Sequence, residues 1–263
     1  MSKLVFLMDM KGKNIVVTGA SSGIGKCLVE YLSSYEGVKI VAVARRIELI
    51  KEKEQVIFPF QADLSLQEGV DALFEFAESK LGKIDVFIAN AGFAFVEKLG
   101  KADWKHISDI FNLNVFSTIY SLQKFSSQSN ADSIRFVSVV SGVAYFPLPG
   151  YALYCSTKSA LKMFFEAYAF EKEKKLSISC VYPVATRTDF FDKAAHGTVS
   201  LPFLTQGAEE VASKIIKGIE KNKKNIYPSL LFRVFLPLAR AFPFLIHLYS
   251  LNEKRKVHTF LDA

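Results

Sequence analysis

Residues 14–25 read Asn14-Ile15-Val16-Val17-Thr18-Gly19-Ala20-Ser21-Ser22-Gly23-Ile24-Gly25, and this stretch decides the fold. A β-branched run ends in a glycine-rich turn, after which Ile24, Leu28 and Leu32 recur near the helical period of about 3.6 residues. The spacing predicts strand, turn and helix. Glycines at such a turn let the backbone approach a pyrophosphate, while the helix N-terminus offers free N–H groups and partial positive charge. A tight turn without ligand is the competing reading.

Outward from this unit, strand-type runs stand at Lys39–Ala44, Val56–Gln61, Val86–Ala89, Arg135–Val139 and Ser177–Tyr182. Helix-patterned segments lie between them at about 65–80, 104–128, 153–174 and 208–221. Alternating strands and helices predict βαβ units, hence an α/β single domain with a doubly wound parallel sheet flanked by helices. No repeat or linker divides residues 10–225. The chain reads as an N-terminal extension, 1–11, a dinucleotide-binding domain, 12–225, and a basic, hydrophobic tail, 226–263.

With 263 residues, 50% hydrophobic and 22% charged, the chain can bury a sizeable core and is not disordered. Its 14 glycines and 8 prolines exclude collagen-like and low-complexity classes. Cys27, Cys155 and Cys180 are odd in number and lack C-x-x-C spacing, which argues against disulfides or zinc and for a reducing compartment. The histidines His106, His196, His247 and His258 are scattered, so no metal site is expected. Leu4–Met8 is too short an apolar run for a signal peptide and Asp9 follows it. The expected location is cytoplasmic.

The formal charge of +7 is concentrated in the tail. Residues 1–220 carry 25 basic and 24 acidic side chains, whereas residues 221–263 carry 8 and 2. A nucleic-acid binder would spread basic residues over a surface with a reader motif, and neither is present.

At the end of the second strand, an acidic residue would bond the ribose 2′-hydroxyl of NAD, but this chain has Ala44-Arg45-Arg46. Arginine suits a 2′-phosphate, so NADP(H) is favoured over NAD(H). Two arginines merely solvated at a strand end is the other reading. Further on, Tyr154 and Lys158 share one helix face at a separation of four. A nearby cation stabilises a phenolate and lowers its pKa, so the pair suits proton transfer. Ser141 precedes the tyrosine by 13 residues.

Taken together, T-G-A-S-S-G-I-G at 18–25 and Y-x-x-x-K at 154–158 resemble the short-chain dehydrogenase/reductase family over residues 12 to about 220. The resemblance implies a Rossmann-type fold and interconversion of a carbonyl and a secondary alcohol. It makes Tyr154 the proton donor or acceptor and gives Lys158 the nicotinamide ribose. Ser141 would orient the carbonyl oxygen, and Asn114 would hold a water of the proton relay. Asn112 and Ser138 are the neighbouring alternatives for the last two. The cofactor-binding set it implies begins at Gly19, Ser21, Ser22, Gly23, Ile24 and Gly25 and includes Arg45 and Arg46. Asp63 and Leu64 would meet the adenine, Asn90, Ala91 and Gly92 would lie beside the cofactor, and Tyr154 and Lys158 would complete the ribose side. After the last of these strands, Pro183, Val184, Thr186 and Thr188 resemble the family's P-G-x-x-x-T stretch, with Thr188 on the carboxamide. Val184 stands where glycine is usual, which narrows the space near the nicotinamide.

By the same resemblance the substrate lies among three loops rich in aromatics. These are Phe93 and Phe95 after Gly92, then Tyr145, Phe146, Leu148 and Tyr151, and finally Phe190, Phe191 and Phe203. Such a lining favours an apolar, lipid-like carbonyl or alcohol, though aromatics are also plain core material. The family also implies a homo-oligomer, by analogy alone. A dinucleotide-binding regulator or membrane-docked scaffold without turnover is the rival reading.

Leu230–Leu251 contains only Arg233 and Arg240 as charged residues, and with His247 they recur every seven residues. On one helix they would form a polar stripe, interrupted at Pro237 and Pro243. Lysines flank the segment. This pattern is expected to lie on a membrane surface, with a subunit interface, a pocket cover or a true span as the other readings.

Overall fold

Ile15, Val16 and Val17 are all fully buried, and their side chains alternate between two separate cores. Val16 belongs to one face with Val41, Val43, Phe87 and Phe136, while Ile15 and Val17 join Ile40, Ala42, Val86, Ile88 and Val137 on the other. A strand buried on both faces reads as a continuous apolar run, which is why these segments lack a polar side.

The computed structural model describes residues 8–128, 133–195 and 205–261. In chain order it has β1 (Asn14–Thr18), α1 (Gly23–Leu32), β2 (Lys39–Ala44), β3 (Ile57–Gln61), α2 (Gln67–Leu81) and β4 (Val86–Ala89). There follow α3 (Trp104–Phe111), a wider π turn at Asn112–Phe116, α4 (Ser117–Gln128), β5 (Ile134–Val139), α5 (Ala152–Tyr168) and β6 (Leu176–Val181). The remainder is β7 (Ala185–Arg187), α6 (Phe190–Ala195), β8 (Thr205–Gly207), α7 (Ala208–Glu220), β9 (Asn225–Ile226), α8 (Leu230–Ala241) and α9 (Pro243–Leu261).

Seven strands form one parallel sheet in the order β3-β2-β1-β4-β5-β6-β9. Helices α1 and α7 cover one face, and α2, α4 and α5 cover the other. This is a Rossmann-type doubly wound sheet. Its strand order reverses between β1 and β4, and crevices outside the carboxyl ends of strands at such a switch are where ligands bind. Phe74, Phe87 and Phe136 stack under the sheet at 5.5 and 5.3 Å, and each fully buried ring contributes roughly 1.5–3 kcal/mol. At the start of the described chain, Met8 N–H donates to the Glu220 carbonyl and Met10 is fully buried. Residues 8–11 are therefore packed on the domain. The β6–β9 pair carries the sheet across position 225 into the tail.

Three expected helices differ. The segment 104–128 is divided by the π turn around Asn114. The helix expected over 153–174 ends at Tyr168, because Phe170 is exposed and the charged run 171–175 has no apolar face to pack. The tail is two helices bent by 119°, with Phe242 non-helical immediately before Pro243, the conformation a following proline imposes. Arg233 and Arg240 stand on α8 and His247 on α9, so the polar stripe of a single helix does not form. Among the described residues no single helix is long and apolar enough to cross a membrane; the bent pair passes that test by length and composition alone.

Candidate active site

At the switch point, Thr18 joins the two strand ends. Its hydroxyl accepts from Asn90 N–H (2.9 Å) and Ala91 N–H (3.0 Å), and Asn90 Nδ2 donates to the Thr18 carbonyl (2.9 Å). Asn90 thus fixes the turn after β1 against the loop after β4. Gly25 faces that turn so closely that a Cβ would lie 2.2 Å from the Gly19 carbonyl oxygen. Only glycine fits there. Ser22 makes no side-chain cap to α1, whose first turn holds no acidic residue, so the partial positive charge of this helix end faces the crevice uncompensated.

A cavity of about 520 Å³ opens from this crevice. Of the sequence-predicted cofactor set, it gathers Gly19, Ser21, Ser22, Gly23 and Ile24 from the first turn, Arg45 and Arg46 from the end of β2, and Asp63 and Leu64 after β3. Asn90, Ala91 and Gly92, Tyr154 and Lys158, and Pro183, Val184, Thr186 and Thr188 line it as well. Gly25 is the exception, packed behind the wall. Burial raises the Asp63 carboxyl, but hydrogen bonds from Ser65 and the Arg45 charge outweigh it and hold the group below the usual carboxylate range. Both arginines are exposed at the rim, and Gln61 Nε2 holds the Arg45 carbonyl at 2.9 Å.

Tyr154, Lys158 and Ser141 meet in the same cavity. Ser141 hydrogen-bonds the Tyr154 phenol, and Lys158 Nζ lies 5.7 Å from its ring centroid while donating to the Val139 carbonyl (3.0 Å). Their protonation differs from the expectation that Lys158 lowers the phenol pKa. Burial pushes the Tyr154 phenol up, and the Ser141 hydrogen bond rather than Lys158 offsets it. The Lys158 ammonium, also buried, is lowered to about 8. The Lys158 ammonium is thus turned toward a backbone carbonyl, and solvent exclusion dominates both groups.

Asn114 is fully buried in the π turn behind the wall. Its Oδ1 accepts from Phe93 N–H (3.0 Å), and its Nδ2 donates to the Phe93 carbonyl (2.9 Å) and to Thr157 Oγ1 (3.1 Å). It clamps the loop after β4. A Cβ on Gly92 would sit 3.0 Å from Asn114 Oδ1 and 3.6 Å from Lys158 Nζ, so the glycine lets these two approach. Of the neighbouring alternatives, neither Asn112 nor Ser138 lines the cavity; Ser138 is buried within β5.

A family model described as short chain dehydrogenase matches residues 13–198. The chain belongs to the short-chain dehydrogenase family. It is 31% identical over 199 residues to an uncharacterized oxidoreductase of Staphylococcus saprophyticus, covering 70% of this chain and 78% of that protein. An 11-beta-hydroxysteroid dehydrogenase of Pinus massoniana is 25% identical over 294 residues, covering 99% of this chain and 81% of that one. Two solved members of the fold have TM-scores of 0.78. One is a short-chain dehydrogenase/reductase from Burkholderia phymatum in complex with NAD (19% identity, 91% of this chain, 96% of that). The other is a short-chain dehydrogenase from Burkholderia cenocepacia in complex with NADP (22%, 93% and 99%). A short-chain dehydrogenase is an oxidoreductase that works with a nicotinamide dinucleotide on small molecules, and the Gly25 cradle, the free helix end and the arginine pair fit such a group.

The part of the cavity where the family resemblance expects the substrate is lined by apolar residues in this short-chain dehydrogenase. Phe93, Phe95, Phe146, Leu148, Tyr151, Phe190 and Phe191 line the cavity as expected from sequence. Tyr145 does not; its ring packs on Tyr182 and Phe232, and its hydroxyl meets that of Tyr227 at 3.2 Å. Phe203 lies outside the described residues. Sequence reasoning missed Phe232, Phe235, Ile246 and Tyr249 of the tail, which complete the wall. Phe146 makes this possible by packing edge-on to Phe232 (5.4 Å) and against Phe235 (6.3 Å) and Tyr249 (6.1 Å). Ser250 Oγ donates to the Pro147 carbonyl (2.9 Å). The Ser229 side chain caps α8 at Phe232 N–H (3.1 Å), fixing where Phe232 enters. Of the tail's alternatives, a pocket cover is built here.

Proposed function

We propose that the chain is an NADP(H)-dependent carbonyl reductase or alcohol dehydrogenase acting on an apolar, lipid-like substrate, with Tyr154 as acid and base. The observation that carries this reading is the convergence of Tyr154, Ser141 and Lys158 on the inner wall of a cavity whose other end is aromatic. The bound dinucleotide supplies or accepts the hydride at the substrate carbon. In reduction, Tyr154 gives its proton to the carbonyl oxygen, which Ser141 orients by a hydrogen bond. The neutral phenol, whose pKa burial raises, carries the proton that reduction needs. Lys158 holds the ribose and supplies positive charge near the oxygen, and Asn114 holds the loop that frames both. Arg45 and Arg46, exposed at the rim, meet the 2′-phosphate.

Tyr154→Phe is expected to abolish NADPH-dependent ketone reduction while preserving NADPH binding. Unchanged turnover would sink the mechanism. A wild-type protein that binds NADPH yet reduces no member of a broad carbonyl panel would favour a non-catalytic dinucleotide-binding regulator instead. Arg45→Ala should weaken NADPH far more than NADH; equal weakening would refute the cofactor preference.

The place of action we propose is a cytoplasmic membrane surface. Leu231, Val234 and Leu238 on α8 and Phe244 and Leu248 on α9 are exposed, and the segment is strongly basic. An amphipathic surface of this kind favours anionic headgroups. Truncation at Lys221 would remove β9 and the pocket wall, so the informative change is Val234→Glu with Leu238→Glu. Loss of co-sedimentation with phosphatidylserine vesicles is expected; undiminished binding would place the contact elsewhere.

A further inference from the structure

The loop after β4 carries Phe95 into the substrate end of the cavity, and a histidine outside the motif holds it there. The His106 ring stacks on Phe95 with centroids 3.9 Å apart and planes 26° from parallel. Its Nε2–H donates to the Glu97 carboxylate, 2.9 Å from Oε1 and 2.8 Å from Oε2, because an ionised carboxylate can only accept. Both side chains are less than one-third exposed. Phe95 in turn meets Phe93 edge to face at 5.0 Å.

The backbone around this stack is tied on every side. Asn114 clamps Phe93, Val96 N–H donates to the Ala194 carbonyl (2.9 Å), and Glu97 N–H donates to the Gly150 carbonyl (2.9 Å). The loop is thereby joined to α6 and to the 142–151 loop, the other two walls of the substrate end. His106 stands in the first turn of α3, whose N-terminus Asp103 caps through His106 N–H (3.0 Å). That helix runs into the π turn bearing Asn114. One rigid element therefore fixes both ends of Phe93–Glu97.

We infer that the His106–Glu97 pair is a positioning device that sets the Phe95 ring as a wall of the substrate end and so determines selectivity for flat, bulky carbonyl compounds. His106 touches neither the cofactor segments nor Tyr154; it acts through Phe95. The inference rests on the reductase reading given above, and its test separates the two. With NADPH, steady-state reduction of butane-2,3-dione and of trans-1-decalone is compared for wild type, His106→Ala, Glu97→Ala and Glu97→Gln. Calorimetric binding of trans-1-decalone to the NADP-loaded protein is the second readout.

His106→Ala and Glu97→Ala should each raise KM and the dissociation constant for decalone by roughly five- to tenfold, the loss of part of one apolar contact against the Phe95 ring. The kcat on the small diketone and the affinity for NADPH should remain within about twofold, since neither residue reaches those atoms. Glu97→Gln keeps an acceptor for Nε2–H and should restore near wild-type selectivity. Equal loss on both ketones, a parallel loss of NADPH affinity or no change would each overturn the inference. A wild-type protein that binds decalone but reduces neither ketone, with the calorimetric shift intact in His106→Ala, would preserve the positioning role and remove the reductase reading. Wild-type protein that neither binds nor reduces decalone would overturn the selectivity inference, and the reductase reading would fall with it only if butane-2,3-dione and the wider carbonyl panel were also left unreduced.

Discussion

Replacing Lys158 by methionine removes a cation that is only 4% exposed. Burial lowers this ammonium from 10.5 to about 8. At about 1.4 kcal/mol per tenfold change in proton affinity, the folded protein holds the charge at a cost of about 3 kcal/mol relative to the unfolded chain. The sign follows from proton counting. Below pH 8 both states carry the proton and the cost is present in full. Between pH 8 and 10.5 the unfolded chain retains the proton while the folded protein releases it, so wild-type stability rises with pH. Methionine has no such dependence. Its apolar chain also fills a similar volume, while the hydrogen bond to the Val139 carbonyl is lost in the variant at every pH. Urea unfolding of both cofactor-free proteins at pH 7, 8, 9 and 10 isolates the effect, because all other titrating groups are shared and cancel in the difference. The wild type should gain on the variant by about 2.5 kcal/mol over this range, with most of the gain above pH 8. A difference that is flat with pH, or that changes only below pH 8, would refute a desolvated ammonium at this position.

Gly25→Ala places a Cβ 2.2 Å from a backbone oxygen that cannot step aside, so roughly 1–3 kcal/mol of stability and most dinucleotide affinity should be lost; a wild-type melting temperature would contradict the packing. Phe232→Ala empties a fully buried ring site beneath Phe146 and should cost about 3–5 kcal/mol in urea unfolding, with the larger penalty falling on substrate KM rather than on NADPH binding. Arg135 is buried in β5 with Nε lacking a hydrogen-bond partner and its charge disfavoured by burial, although Ser179 and Asn222 accept from its other nitrogens. Arg135→Met should therefore be neutral or stabilising by up to about 2 kcal/mol, and a strong destabilisation would show the guanidinium network to be worth more than its desolvation.

The fold was legible because its signals are local. β1, β2 and β4 lie where their apolar runs predict, and the Gly19–Gly25 turn and the Tyr154–Lys158 helix face are set by spacing within one element. What escaped depends on partners distant in sequence. The break in the 104–128 helix surrounds Asn114, whose amide is satisfied by Phe93, 21 residues away, and by Thr157, 43 away. Tyr145 and Phe146 are adjacent and equally aromatic. Only the arrival of α8 and Tyr227 turns the first into the core and leaves the second on the cavity. The tail's composition was visible, but a regular seven-residue stripe presumed one helix, and the constraint that Pro243 places on Phe242 divides it.

Every tail residue of the cavity wall lies after position 229, whereas the sequence-predicted cofactor residues that line it end at Thr188. Synthesis from the N-terminus therefore delivers the glycine turn and the Tyr154–Lys158 pair first and the roof over Phe146 last. Until α8 reaches Phe146, the aromatic end of the cavity lacks the wall that Phe232 and Phe235 supply. The two halves can also vary separately. Exchanging α8 and α9 would redraw the aromatic end of the cavity without altering a residue of the Gly19–Gly25 turn.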